Sequence, residues 1–299
     1  MDEEERKLYL KAGKAAANAL KIVKEKIQVG MSLNEICEIA EKEILNNGAQ
    51  LAFPCNVSIN NIAAHNTADF EVIEYIPANS VVKIDVGASC DGYLADTATT
   101  ICFNRNFEKM DEIAKKALKH AIDSIRPGMK TSEIGKIIYS YAKANGFKVI
   151  KNLSGHSMKR NLLHAGKSIP NFDDASQEKI EKNEVYAIEP FLTNGYGMVE
   201  DSDLIRIYSL KAPPKVKGLK NSDFIYKIWK ERLYLPFCLR WYKGRVDLKE
   251  LMKDFEILLN KNELIGYNVL VEYGNGIVVQ EEHTIIIDND DVIVTTYIE

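Results

Sequence analysis

Two segments of the chain carry the same order of apolar and polar positions. GMSLNEICEIAEKEILNNG (Gly30 to Gly48) and GMKTSEIGKIIYSYAKANG (Gly128 to Gly146) are identical at seven of nineteen positions when offset by 98 residues. Their apolar residues recur at the spacing of a helix that buries one face. Glycines bracket both segments, and Ser32 and Thr131 are candidate caps. The register extends upstream, where Ala16, Leu20, Lys21 and Ile27 match Ala114, Leu118, Lys119 and Ile125. Each copy predicts a helix, a Gly-Met turn, a capped helix and a glycine stop.

Behind each helix pair the pattern changes to that of strands. SVVKIDVGA (Ser80 to Ala88) and YLADTATTICF (Tyr93 to Phe103) flank the turn Ser89-Cys90-Asp91-Gly92, and their β-branched content predicts a hairpin. NEVYAIEPF (Asn183 to Phe191) resembles the strand that carries Asp85, and IVVQEEHTIIID (Ile277 to Asp288) predicts one more strand. The fold class is therefore α/β, in the α+β sense, with an internal pseudo-twofold repeat. Asp85 and Glu189 occupy similar places in its two halves and would meet near the axis. Between Glu189 and Glu282 lie 92 residues, far more than a hairpin needs. LKELMKDFEILLNKN puts Leu248, Leu251, Met252, Phe255, Leu258 and Leu259 on one helix face. NSDFIYKIWKERLYLP predicts a second helix, ended by Pro236, and the basic loop KAPPKVKGLK (Lys211 to Lys220) precedes it.

Composition excludes several classes of function. The chain has 299 residues, 46% of them hydrophobic, enough for one large core or two smaller ones. A net charge of −4 gives no reason to expect sequence-specific nucleic acid or an anionic membrane as partner. Cys37, Cys55, Cys90, Cys102 and Cys238 show no CxxC spacing, which favours a reduced cytoplasmic chain over a disulfide framework. No signal-peptide core opens the chain, and no apolar run approaches the roughly 18 residues that span a bilayer.

The chemistry enters through misplaced charges. Asp85 stands in VVKIDVGA and Glu189 in VYAIEPF, apolar runs in which an unpaired carboxylate is costly to bury. Asp96 lies eleven residues after Asp85 on the other arm of the hairpin, where alternation can turn both inward. VVQEEHTIII offers Glu281 and Glu282, of which a regular strand turns only one inward, with His283 pointing away from Glu282. Of the five histidines, His65, His156 and His164 lie in loops near these segments, while His120 reads as structural. Gly155 before His156 permits close backbone approach. Asp85, Asp96, His156, Glu189 and a glutamate of the pair are hard oxygen and nitrogen ligands. Such a set suits two divalent ions about 3.5–4 Å apart, and hence a hydrolytic enzyme. No P-loop, GxGxxG, GxSxG or HExxH is present, and nucleophilic Ser or Cys catalysis has no support.

At LAFPCNVSINNIAAHNTAD, VVKIDVGASCDGYLADTATT, LSGHSMKRNLLHAGKSIP, VYAIEPF and VVQEEHTIII the chain resembles the type 2 methionine aminopeptidases, archaeal-like, of the pita-bread fold. The resemblance covers nearly the whole chain. It implies a single catalytic pita-bread domain over 1–299, with the helical insert subdomain of the type 2 form at 206–268. It implies removal of N-terminal methionine, with a small second residue preferred, by two divalent ions (Co, Zn, Mn, Fe or Ni). Asp85, Asp96, His156, Glu189 and Glu282, rather than Glu281, would bind them, with Asp96 and Glu282 bridging and Glu189 also serving as general base. His65 and His164 match the two histidines that contact substrate. Phe53 and Leu163, beside Gly155, match the pocket for the methionine side chain, with Ile207 where some relatives have a His. Cys55-Asn56 replaces a Thr-Gly of some relatives. Expected partners are peptides and nascent chains with N-terminal Met and, through the basic loop, the ribosome; the expected state is a cytoplasmic monomer. The alternatives are a proline-specific peptidase of the same fold (prolidase or X-Pro aminopeptidase), which shares the ligands, and a non-catalytic binding protein.

Overall fold

The computed structural model describes residues 1–288 and 291–297. Its first half runs α1 (Glu3–Lys26), α2 (Leu33–Asn46), β1 (Gln50–Ile59), β2 (Ile62–Ala64), β3 (Val81–Cys90) and β4 (Tyr93–Cys102). The second begins α3 (Glu108–Ser124), α4 (Thr131–Ala144), β5 (Lys148–Val149), β6 (Ser154–Met158), β7 (Ser168–Pro170), β8 (Val185–Ile188) and β9 (Phe191–Thr193). Then come β10 (Val199–Leu210), α5 (Ser222–Arg232), β11 (Phe237–Cys238), α6 (Leu248–Asn260) and β12 (Leu264–Glu272). The chain closes with β13 (Val278–Gln280), β14 (His283–Asp288) and β15 (Asp291–Val294).

The repeat expected from the sequence is a repeat of architecture. The antiparallel order β1-β3-β4 in one sheet recurs as β6-β8-β14 inside another, whose full order is β15-β14-β8-β6-β7. α1 and α2 pack their buried Ala12, Ala16, Ile36 and Ile44 on the first sheet; α3 and α4 pack Ala114, Leu118, Ile134 and Ile138 on the second. Gly30, Gly48, Gly128 and Gly146 all have φ between +72° and +87°, so the matching punctuation meets a left-handed backbone that glycine adopts without strain. Ser32 caps α2 as expected: the Glu35 N–H donates to its Oγ (3.2 Å) and its own N–H donates to Glu35 Oε2 (2.8 Å). Thr131 does not cap. It is the first residue of α4, and the cap position belongs to Lys130, whose N–H donates to Glu133 Oε2 (2.8 Å).

The β3-β4 hairpin turns at Asp91 and Gly92, both at positive φ, as a two-residue loop requires. Its register pairs Asp85 with Ala98 and Gly87 with Asp96, so the two aspartates stand on one face, two rungs apart along the ladder. The segment Ile277 to Asp288, expected as one strand, breaks at Glu281-Glu282 into β13, paired with β9, and β14, paired with β8. Between them the Glu282 N–H donates to Ala98 O (3.1 Å) and Thr97 Oγ1 donates to Glu282 O (2.7 Å), which binds the crossing point to β4.

Between β10 and β12 the chain forms a helical unit with its own core. Ile225, Ile228, Leu251, Phe255 and Leu258 pack with Tyr208, Leu210 and Leu264. α6 carries the expected apolar face and is capped by Asp247. α5 ends at Arg232, short of Pro236, because Leu233 takes φ +52° and leaves the helical path. Two arginines tie this unit to the first half. Arg240 grips the buried Glu41 with both guanidinium nitrogens (2.6 and 3.0 Å), and Arg232 donates to the Leu51 and Ala52 carbonyls (2.8 Å each).

Candidate metal centre

The two sheets meet at a cavity of about 120 Å³. Its lining includes Asp85 from β3, Asp96 from β4, His156 from β6, Glu189 just past β8 and Glu282 at the β13-β14 break. Ligand atoms of Asp96, His156 and Glu282 lie within 4.8 Å of one another. His156 Nε2 is 3.4 Å from Asp96 Oδ2 and 3.8 Å from Glu189 Oε1. The five residues proposed as ligands from the sequence thus share one cavity. Glu281 faces the other way: its Oε1 accepts from Thr99 Oγ1 and the Thr100 N–H (2.9 Å each) and lies 3.8 Å from Lys115 Nζ.

The electrostatics of this cavity demand cations. Burial pushes the carboxyls of Asp85, Glu189 and Glu282 well above the carboxylate range, and the Asp96 charge adds to each. Asp96 rises to about 7, again through burial, although its hydrogen bonds to Asp85 and Glu282 pull it down. Among the described residues no lysine or arginine is in ion-pair reach of any of the four. The nearest candidate on the strand, Lys83, donates instead to the Val278 and Asn60 carbonyls (3.1 and 3.3 Å), and burial lowers its pKa to about 7. Asp85 Oδ1 and Asp96 Oδ1 are buried without any hydrogen-bond partner. Oxygen atoms left open, four carboxylates and an imidazole fit divalent metal ions as the missing charge. His156 has its pKa lowered to about 4 by burial, so its contact with Asp96 is made by a neutral imidazole, the form that binds metal.

The other expected residues divide. Phe53, Leu163 and Ile207 line the cavity with apolar side chains, and His65 and His164 line it as well. The His164 ring stands edge-on to His156 at 4.4 Å; its pKa falls to about 3, chiefly through burial and then through His156 and His65. His65 sits at φ +60°, with Nδ1 3.2 Å from Asn268 O and its ring edge-on to Tyr267. Gly155 is not among the lining residues. A Cβ there would collide with the Ala187 carbonyl oxygen, so this glycine serves the packing of β6 against β8. His283 turns away from the cavity, with Nδ1 2.8 Å from Thr296 Oγ1.

Sequence reasoning missed Pro236, Tyr267 and Gln280, which also line the cavity, as does Asn56 of the Cys55-Asn56 pair. Gln280 was within reach of alternation, being two residues before Glu282. Its Nε2 lies 3.4 Å from both Glu189 Oε2 and Glu282 Oε2. Tyr267 faces Ile207 across β10-β12, a pairing that no local pattern announces.

Residues 7–226 match Metallopeptidase family M24. The methionine aminopeptidase of Saccharolobus solfataricus is 40% identical over 302 residues, 99% of each chain. That of Methanocaldococcus jannaschii is 38% identical over 296 residues, covering 99% of this chain and 100% of its own. Among solved structures, the methionine aminopeptidase of Thermotoga maritima superimposes with a TM-score of 0.73 at 20% identity, over 100% of this chain and 98% of its own. A thermophilic Arx1 reaches 0.85 at 16% identity, over 99% and 91%. The prolidase of Pyrococcus furiosus reaches 0.65 at 19% identity, and only 65% of its chain is covered.

Proposed function

The chain belongs to metallopeptidase family M24, and from that premise we propose that it removes the N-terminal methionine of peptides and nascent chains by metal-assisted hydrolysis. The observation that carries this reading is one cavity lined by four carboxylates and a neutral histidine, with no balancing basic side chain among the described residues, and by the apolar Phe53, Leu163 and Ile207. The likeness to methionine aminopeptidases at 38–40% identity, against 19% for the prolidase, favours methionine over proline specificity.

On this reading Asp85, Asp96, His156, Glu189 and Glu282 hold two divalent ions. When bound, the ions neutralise the carboxylates, acidify a water and polarise the scissile carbonyl. Glu189, oriented by the Gln280 amide, takes the proton of the attacking water and delivers it to the leaving amine. His164, uncharged at neutral pH, donates a ring N–H to the oxygen that gains charge. His65, held by Asn268 O, positions the peptide beyond the scissile bond. Phe53, Leu163 and Ile207 receive the methionine side chain, and a small second residue is preferred. The whole of 1–299 works as one catalytic domain, with 206–268 as its helical insert. We place it in the cytoplasm as a monomer, with the exposed basic loop at 211–220 as the segment for any ribosome contact. Among the described residues no helix is long and apolar enough to cross a membrane.

The test compares Met-Ala-Ser with an X-Pro dipeptide under identical metal loading. Release of methionine at a kcat/KM at least about tenfold above proline-bond cleavage is the expected result. The reverse preference makes the protein a proline peptidase.

A further inference from the structure

Among the side chains that line the cavity, the amide of Asn56 has no part in the mechanism given above. β1 bulges between Phe53 and Asn56, around Pro54, and the bulge brings residues three apart onto the same wall. Phe53 lies over Gly87, where a Cβ would strike its ring, and Asn56 is the ladder partner of Asp85. The Asn56 Nδ2 donates to Pro54 O (2.9 Å), which fixes the orientation of the amide, since the flipped form would set two acceptors against each other. Oδ1 is thereby left as an acceptor on the ladder partner of Asp85, and no N–H or O–H among the described residues donates to it.

Three substituents leave the first α-carbon of a bound peptide. With the side chain toward Phe53 and Leu163, and the carbonyl toward His164 and Glu189, the amine is left to other lining residues, among them the ladder partners Asn56 and Asp85. We propose that the Asn56 carboxamide oxygen recognises the free α-amine of the substrate, accepting one of its N–H hydrogens. Asn56 is then a specificity residue that favours unblocked N-termini, a role that rests on the methionine-releasing reading given above.

The test uses Asn56→Ala and Asn56→Leu, the second keeping the wall filled, each with metal content matched to the parent enzyme. Two competitive inhibitors are compared: L-methioninol, which has the amine, and 4-(methylthio)butan-1-ol, which lacks it. Losing a hydrogen bond to a charged or polarised amine weakens binding by about tenfold or more. The expected result is an inhibition constant for methioninol raised by about that factor in both variants, and a desamino inhibitor bound within about twofold of parent. The KM for Met-Ala-Ser rises correspondingly and kcat stays within about threefold. Equal losses for both inhibitors would show that Asn56 only shapes the pocket. Unchanged methioninol binding would show that it does not meet the amine. Either outcome overturns the proposal while leaving methionine release intact, whereas a parent enzyme that releases no methionine overturns the reading beneath it.

Discussion

Burial makes each group of the centre depend on its neighbours. Glu282 and Glu281 are adjacent in sequence and serve opposite sides of the same backbone, one in the cavity and one against Thr99, Thr100 and Lys115. Asp85 and Glu189 were legible because carboxylates inside apolar runs contradict their surroundings, and Asp96 because the hairpin can turn it inward with Asp85. Glu282 was not separable from Glu281 by alternation, which turns the two to opposite sides without saying which side is the cavity. Tyr267 escaped for another reason: its partner Ile207 comes from a distant strand, and no period along the chain encodes it. His164 offers the sharpest test at this scale. With its charge suppressed by burial, its contribution is one donated hydrogen bond in a dry site. His164→Ala should lower kcat by about 10²-fold or more with metal content unchanged. A rate within twofold of parent would remove it from the mechanism.

Helices, the hairpin and the repeat could be read from local signals, since caps, glycine stops and a two-residue turn act within a few residues. The cap at Thr131 could not: the matching position of the repeat is Lys130, whose own N–H binds Glu133. α5 stops before Pro236 because the chain needs Pro236 in the cavity wall and Arg232 on the β1 carbonyls. The helical unit is attached through the Arg240–Glu41 pair, and Trp241 Nε1 donates to the same carboxylate (2.9 Å). Removing one partner leaves a charge buried alone. Glu41→Ala should therefore cost about 3–5 kcal/mol in urea unfolding. A loss below about 1 kcal/mol would mean that Arg240 finds water or another acceptor.

At the scale of the molecule, metal, protons and stability are linked. Carboxyls raised by burial, Asp96 to about 7 and the others well up, stabilise the metal-free fold only while protonated, so that contribution is lost as pH rises through their folded values. His156, His164 and His283, lowered to about 4, 3 and 4, act oppositely: their contribution is full above about 6.5 and is lost as pH falls toward those values. Metal ions must displace the carboxyl protons, so they bind more tightly at higher pH. Addition of Mn²⁺ should raise Tm more at pH 8 than at pH 6, with proton release seen by calorimetry in two buffers. An equal rise at both values, with no protons released, would contradict the linkage.

The most direct measurement is methionine release from Met-Ala-Ser by protein stripped of metal and then titrated with Co²⁺ or Mn²⁺, alongside Glu282→Ala. The account predicts no release by the stripped protein, recovery on titration, and a loss of about 10³-fold or more in the variant at every metal concentration. Full activity in the stripped protein, or in Glu282→Ala without metal, would contradict it.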